Sequence, residues 1–454
     1  MRHRFHRKNN RKKKEETMSK SGGLLQLVAV GRQDIYLSGN PQTTFFKQVY
    51  RRYTNFSIET QRIPIDTAVG FGKLHSLTVP QQGDLLSQLV LEVDLPAVNA
   101  SGAVTNTGCS GIQTLPNTTS SNNTANTYSW VNGIGHAMIE YVSIQIGQQE
   151  IDRQTGEWLQ IWSRLSTPKS KIDGFNTMIA YQEPASYAQN TNQGPYKLFI
   201  PLRFWFCNNI GTSLPLIALQ STPIRIYIKL KSGYDMIYSN SLLTNPCEDV
   251  PNIPYIKDMT LWGDFIYLDV EERRRFVTNK HEYLIEQTQY IRRYAIPEKT
   301  INASIPLTFN HPMKEIVWVV QQDRMLSYHD WFNWGSRALT EGGVPNLDLI
   351  SSAVLQFDGF DRFERRAAQY FRLVQPWQRH TSIPPDLIYA YSFSLAPEAS
   401  QPQGSCNASR IDSIVLAVEM NSAVQSRSAG LTAYATNYNV LRIVAGLGGV
   451  LFTV

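Results

Sequence analysis

The second half of this chain repeats the parts of its first half in the same order, and that repetition restricts the fold more than any other feature. Thr78-Val79-Pro80, a short turn and LVLEV from Leu89 match Ser304-Ile305-Pro306, a turn and IVWVV from Ile316. Ile144-Gln145-Ile146-Gly147, leading into a helical stretch around Trp158 and Trp162, matches Leu355-Gln356-Phe357 leading into one around Phe363 and Tyr370. FIPLRFWF from Phe199, a turn-rich span and IRIYI from Ile224 match YAYSFSLA from Tyr389, a span and IVLAV from Ile414. The separations are about 226, 211 and 190 residues, a steady fall that tandem duplication explains if the first copy carries the longer connections.

The repeated units are strands. In IRIYIKLK, Ile224, Ile226, Ile228 and Leu230 fall on one face and Arg225, Tyr227, Lys229 and Lys231 on the other, the period of two that a half-buried strand requires. Leu89–Leu95 and Val142–Ile146 follow the same rule. Each half holds about eight short strands and one or two small helices with no βαβ alternation, which points to an all-β chain of two tandem antiparallel eight-stranded jelly rolls. Its 454 residues suit two domains. The expected boundaries are a basic tail over 1–17, a first jelly roll over 18–231, a linker over 232–258 marked by Pro246, Pro251 and Pro254, and a second jelly roll over 259–454.

The net charge of +6 sits at one end. Residues 1–17 carry eight basic side chains against Glu15 and Glu16, and the remainder is balanced at 35 against 35, so the folded part is a poor electrostatic partner for a phosphate backbone. The tail reads as a disordered basic arm, an extension ahead of a start at Met18, or a targeting signal without an apolar segment. Cys109, Cys207, Cys247 and Cys406 form no CxxC pair, which disfavours a zinc site or disulfide framework and reads as reduced thiols in a cytoplasmic setting. No run of about 20 apolar residues is present. The nearest approach, Val440–Val454, contains Arg442 and three glycines and reads as a final strand with a glycine turn.

Asn40-Pro41 reads as a helix cap followed by proline at the first helical position. The helix it predicts places Phe45, Phe46, Val49, Tyr50 and Tyr53 on one face, with Lys47, Arg51 and Arg52 on the others, either to cap the core or to dock on neighbouring subunits and the inner side of a shell. Pro96–Ser129, 34 residues without a charge, reads as a long exposed loop carrying glycosylation sequons at Asn99, Asn117 and Asn122. Asp330-Trp331-Phe332-Asn333-Trp334 concentrates aromatics in a loop, where Trp331 and Trp334 serve as interface anchors or as local core.

Motifs for chemistry are missing. The eight histidines show no HExxH or metal spacing, and no GxSxG or P-loop is found; Gly446-Leu447-Gly448-Gly449 has no helix after it to hold a phosphate. Asp358, Asp361 and Glu364, like Glu271 and Glu272, lie beside arginines and read as ion pairs, not general acid and base. No catalytic, metal or cofactor residue is assigned.

Longer stretches resemble a known family. YLSGNPQTTFFKQVYRRYTNF (Tyr36 to Phe56), GEWLQIW from Gly156, SLPLIALQ from Ser213, YLDVEERRRF from Tyr267, HEYLIEQ from His281, NHPMKEIVW from Asn310, LQFDGFDRFERR from Leu355, QPQGSCNASRID from Gln401 and NYNVLRI from Asn437 resemble, in order, the double jelly-roll major capsid proteins of nucleocytoplasmic large DNA viruses. The likeness runs from about Gly22 to the C-terminus. The basic stretch before Met18 departs from it, as does Arg379, where the family pattern suggests a histidine. The resemblance implies a non-enzymatic homotrimer forming pseudo-hexagonal capsomers of an icosahedral virion, assembled in host cytoplasm, without cofactor or small-molecule substrate. Its implied partners are neighbouring capsomers, penton and minor capsid proteins, and the inner membrane or genome through the tail. The competing readings are a two-jelly-roll carbohydrate-binding protein or glycan-active enzyme, with sugar at a concave sheet face, and a minor capsid paralogue.

Overall fold

The computed structural model describes residues 22–97, 128–182, 194–239, 254–335, 348–421 and 427–453, in two compact units, Met1–Thr54 and Asn55–Val454. The basic tail, the sequons at Asn99, Asn117 and Asn122, and Cys109 and Cys247 lie outside the described residues.

In the first unit a helix spans Gly22–Val28 and a single turn spans Ile35–Ser38. The helix predicted after Asn40-Pro41 does not form: Asn40 takes a positive φ of 50° and the chain runs on through turns and extended backbone. Two physical reasons account for this. A helix of about a dozen residues needs a packed apolar face to offset its nucleation cost, and Thr43, Thr44, Phe45, Phe46, Val49, Tyr50 and Tyr53 are aromatic or β-branched residues of modest helix propensity. Every described side chain from Leu24 to Thr54 is exposed.

The second unit holds two antiparallel sandwiches. In the first, one sheet runs Phe56–Ile63, Asp258–Leu268, Leu85–Leu95 and Tyr196–Pro201, and the facing sheet runs Leu74–Thr78, Ile224–Leu230, Ile139–Ile146 and Gln149–Thr155. In the second, the sheets run His281–Ile296, Ala429–Val444, Pro312–Gln322 and Tyr389–Ser392, against Asn302–Pro306, Ile414–Met420, Ile350–Phe357 and Phe360–Asp361. The order is the same strand for strand, with first and last strands adjacent as a jelly roll requires. The start-to-start separation falls from 225 residues (Phe56 to His281) to 171 (Asp258 to Ala429).

That order corrects the expected boundary. Asp258–Leu268, assigned from sequence largely to the second half, is the eighth strand of the first sandwich, paired with Phe56–Ile63 and Leu85–Leu95. The proline-rich span before it is a connection within the first sandwich, and its opening residues fold back, Ile237–Ser239 pairing with Tyr128–Trp130. A strand that closes a Greek key is paired with the earliest part of its domain, so a turn-rich span before it looks like a domain linker in sequence.

Burial follows the alternation. Ile224, Ile226, Ile228 and Leu230 are buried while the residues between them are half-buried, and each such buried side chain contributes about 1.5–3 kcal/mol relative to exposure. Residues of both sandwiches belong to one contiguous core. The chain closes as a hairpin, Ala429–Val444 turning through Ala445 and Gly446, both at positive φ, into Leu447–Val450.

Candidate assembly interface

The first candidate surface is already filled, because one sandwich sits on the other. Thr155 caps the helix Gly156–Ser166, its hydroxyl accepting from the Trp158 amide at 3.2 Å. Gly156 opens that helix where a Cβ would lie 2.1 Å from the His136 carbonyl oxygen, so only glycine permits so close an approach. The helix carries Trp158 onto Tyr434 of the second sandwich, the rings stacked at 5.1 Å. Glu157 accepts from the Tyr434 hydroxyl at 2.8 Å and from the Trp334 indole at 3.1 Å. Burial, reinforced by Glu157, holds the Tyr434 phenol protonated far above its usual range.

Polar groups complete the contact. Arg164 and Asp386 form a buried ion pair, and Asp386 also accepts from Tyr181 at 3.1 Å. Asp152 accepts from the Thr288 amide at 2.9 Å and from Gln154 at 2.8 Å, and burial pushes its carboxyl up to about 6. On the same sheet face of the second sandwich, His380 lies 3.1 Å from Glu315 and 3.0 Å from Glu398. Burial alone would depress the imidazole, yet the two carboxylates outweigh it and raise His380 to about 9. Lys314, fully buried, pairs with Glu286 at 2.7 Å and donates to the Pro397 carbonyl at 2.7 Å.

The residues chosen from sequence fall in two places. Trp331 donates to the Asp235 carbonyl at 2.8 Å, and Lys231 sits 3.9 Å over its ring. With Trp334 buried against Glu157, both tryptophans anchor the second sandwich to the first within one chain, which is the local-packing alternative of the two. Phe45, Phe46, Lys47, Tyr50, Arg51 and Arg52 are all exposed, Phe46 at 98%. The acidic groups do not converge: Asp358 accepts from the Ser413 amide and Asp361 from Gln356, while the helix Val270–Thr278 carrying Glu271 and Glu272 buries no residue. Lys314 and Glu315 escaped sequence reading because a charge at the start of an apolar strand looks like a solvated flank, and His380 because its carboxylate partners lie elsewhere in the chain.

Two jelly rolls in one chain, joined by a buried interface, define a protein of the double jelly-roll class. Comparison with known proteins narrows the class. The sequence models for large eukaryotic DNA virus major capsid protein and for major capsid protein N-terminus match residues 272–449 and 44–269. The chain is 35% identical to the major capsid protein of Pyramimonas orientalis virus over 95% of its length and 99% of that protein, and 34% identical to that of Paramecium bursaria Chlorella virus 1 over 95% and 99%. A subunit of the PBCV-1 virus capsid superposes with a TM-score of 0.72 at 29% identity, covering 90% of this chain and 100% of that one. The Faustovirus major capsid protein shares the fold, with a TM-score of 0.70 at 14% identity over 91% and 94%. The chain belongs to the family of major capsid proteins of large eukaryotic DNA viruses. It is a structural component of a virion capsid and not an enzyme.

Proposed function

We propose that three copies associate into a pseudo-hexagonal capsomer and that many capsomers tile an icosahedral shell assembled in the host cytoplasm. The carrying observation is the strand-for-strand repetition of one sandwich by the next: two similar lobes per chain in a threefold ring present six similar sides, which pack at close to hexagonal symmetry. In this reading the sandwiches are the wall, and the first ends with Leu268. The exposed segment around Phe45, Phe46, Lys47, Tyr50, Arg51 and Arg52 meets neighbouring capsomers, penton or minor capsid proteins, and the basic tail faces the inner membrane or genome. Large apolar side chains left in water by their own chain support that role.

Native mass spectrometry of the full chain tests it. A 51.5 kDa chain should run as a species of about 155 kDa. A stable monomer at micromolar concentration would overturn the proposal.

A further inference from the structure

The contact between the two sandwiches has a counterpart that is left bare among the described residues. Pro312–Gln322 and Ala429–Val444 are buried on both faces, because the first sandwich's helix Gly156–Ser166 brings Trp158 to the outer one. Their equivalents Leu85–Leu95 and Asp258–Leu268 are not. Val90, Glu92, Asp94, Trp262 and Asp264 are only half-buried, and Gln88 is exposed. In register Val90 lies opposite Trp262, as Val317 lies opposite Tyr434, so Trp262 occupies in its sheet the place that Tyr434 occupies in the other.

The second sandwich in turn carries a counterpart of the covering helix, in a connection whose later residues His380 and Asp386 already meet the first sandwich. Its equivalent connection follows Phe360–Asp361 and contains the helical turns Tyr370–Val374 and Gln375–Arg379. It presents Leu373, Val374 and Trp377 outward, 40%, 37% and 71% exposed. Charge favours a match. This connection exposes Arg362, Arg365 and Arg366 against Glu364, whereas the bare sheet face carries Glu92, Asp94, Asp258 and Asp264 against Arg62 and Lys197.

We infer that the segment around Trp377 of one copy seats on the Trp262 face of a second copy, repeating between chains the contact that Trp158 makes with Tyr434 within one. The inference rests on the capsomer reading above and deepens it, because it names the two surfaces that close the ring. A heterologous contact of this kind uses different patches on each copy and closes a ring when the rotation permits, which a self-complementary patch does not do. Large aromatics in the centre of such patches carry most of the binding energy.

The test uses two differently tagged full-length chains, Gln88→Cys and Gln378→Cys, which keep the Trp377 anchor, co-expressed and treated with a short bis-maleimide. Peptide mass spectrometry should find position 88 of one tag joined to position 378 of the other. Separately, Trp377→Arg should move the native mass from three chains to one with unchanged circular dichroism, since that side chain lies mostly in water in the single chain. If the unmodified protein is trimeric, yet the 88–378 link is missing and Trp377→Arg stays trimeric, the inference is wrong and the capsomer reading survives. A monomeric unmodified protein overturns both.

Discussion

Strands Leu85–Leu95 and Pro312–Gln322 hold the same place in two sandwiches of the same topology, yet one alternates between buried and half-buried while the other is buried throughout. The difference does not lie in the strands' own pairing, which is antiparallel on both sides in each case. It lies in what covers the outer face: the helix Gly156–Ser166 for the second sandwich, and none of the described helices for the first. A duplicated domain therefore has one contact satisfied internally and the matching contact left open, which is the arrangement a ring-forming subunit needs.

The contrast can be broken most severely at the covered face. Arg164→Ala leaves Asp386 buried without its cation, and chemical denaturation should register a loss of about 3–5 kcal/mol. Trp158→Ala removes the stack on Tyr434 and should cost a similar amount, about 3–5 kcal/mol. If either loss stayed below about 1 kcal/mol, the two sandwiches would not be joined as described.

Next comes a pH effect confined to the covered face. His380, raised to about 9, binds its proton more tightly folded than unfolded. Its contribution is complete below the ordinary histidine value near 6.5 and declines as pH rises through about 9, by about 3 kcal/mol in all. Denaturation midpoints should fall across that window in the native chain, and His380→Gln should flatten the slope. Asp152 has the same sign over a lower window, because its carboxyl is raised to about 6 and stability falls as pH climbs from about 4 through 6.

The smallest effects belong to the open surfaces. Trp377→Ala should change the unfolding free energy of the single chain by less than about 1 kcal/mol, since 71% of that residue is exposed. Phe46→Ala, at a side chain 98% exposed, should change it by less than about 0.5 kcal/mol. A large loss of stability at Trp377 in a monomeric preparation would erase the distinction between the covered and open counterparts.

Several things were legible in the sequence for local reasons. The two-residue period marked Ile224–Leu230 and Leu89–Leu95 as strands, the second lying within Leu85–Leu95, because alternation follows from backbone geometry alone. The falling separation of matched segments exposed the duplication, and the order of sheets repeats it. The helical stretch read around Trp158 and Trp162 formed as Gly156–Ser166.

Other features depend on partners distant in the chain. The cap at Asn40-Pro41 signalled a helix that had no packed face to sustain it. Asp258–Leu268 was placed in the wrong half because pairing with Phe56–Ile63, some 200 residues earlier, leaves no local trace. Aromatic density at Trp331 and Trp334 left interface and local core both open, and the burial of Lys314 left no sign because Glu286 and the Pro397 carbonyl lie elsewhere in the chain. By itself the sequence determined which segments are strands and that the set occurs twice, because periodicity and repetition are properties of the chain. Which faces are covered and where each sandwich ends were decided by tertiary structure, because burial is a relation between segments and only folding brings those segments together.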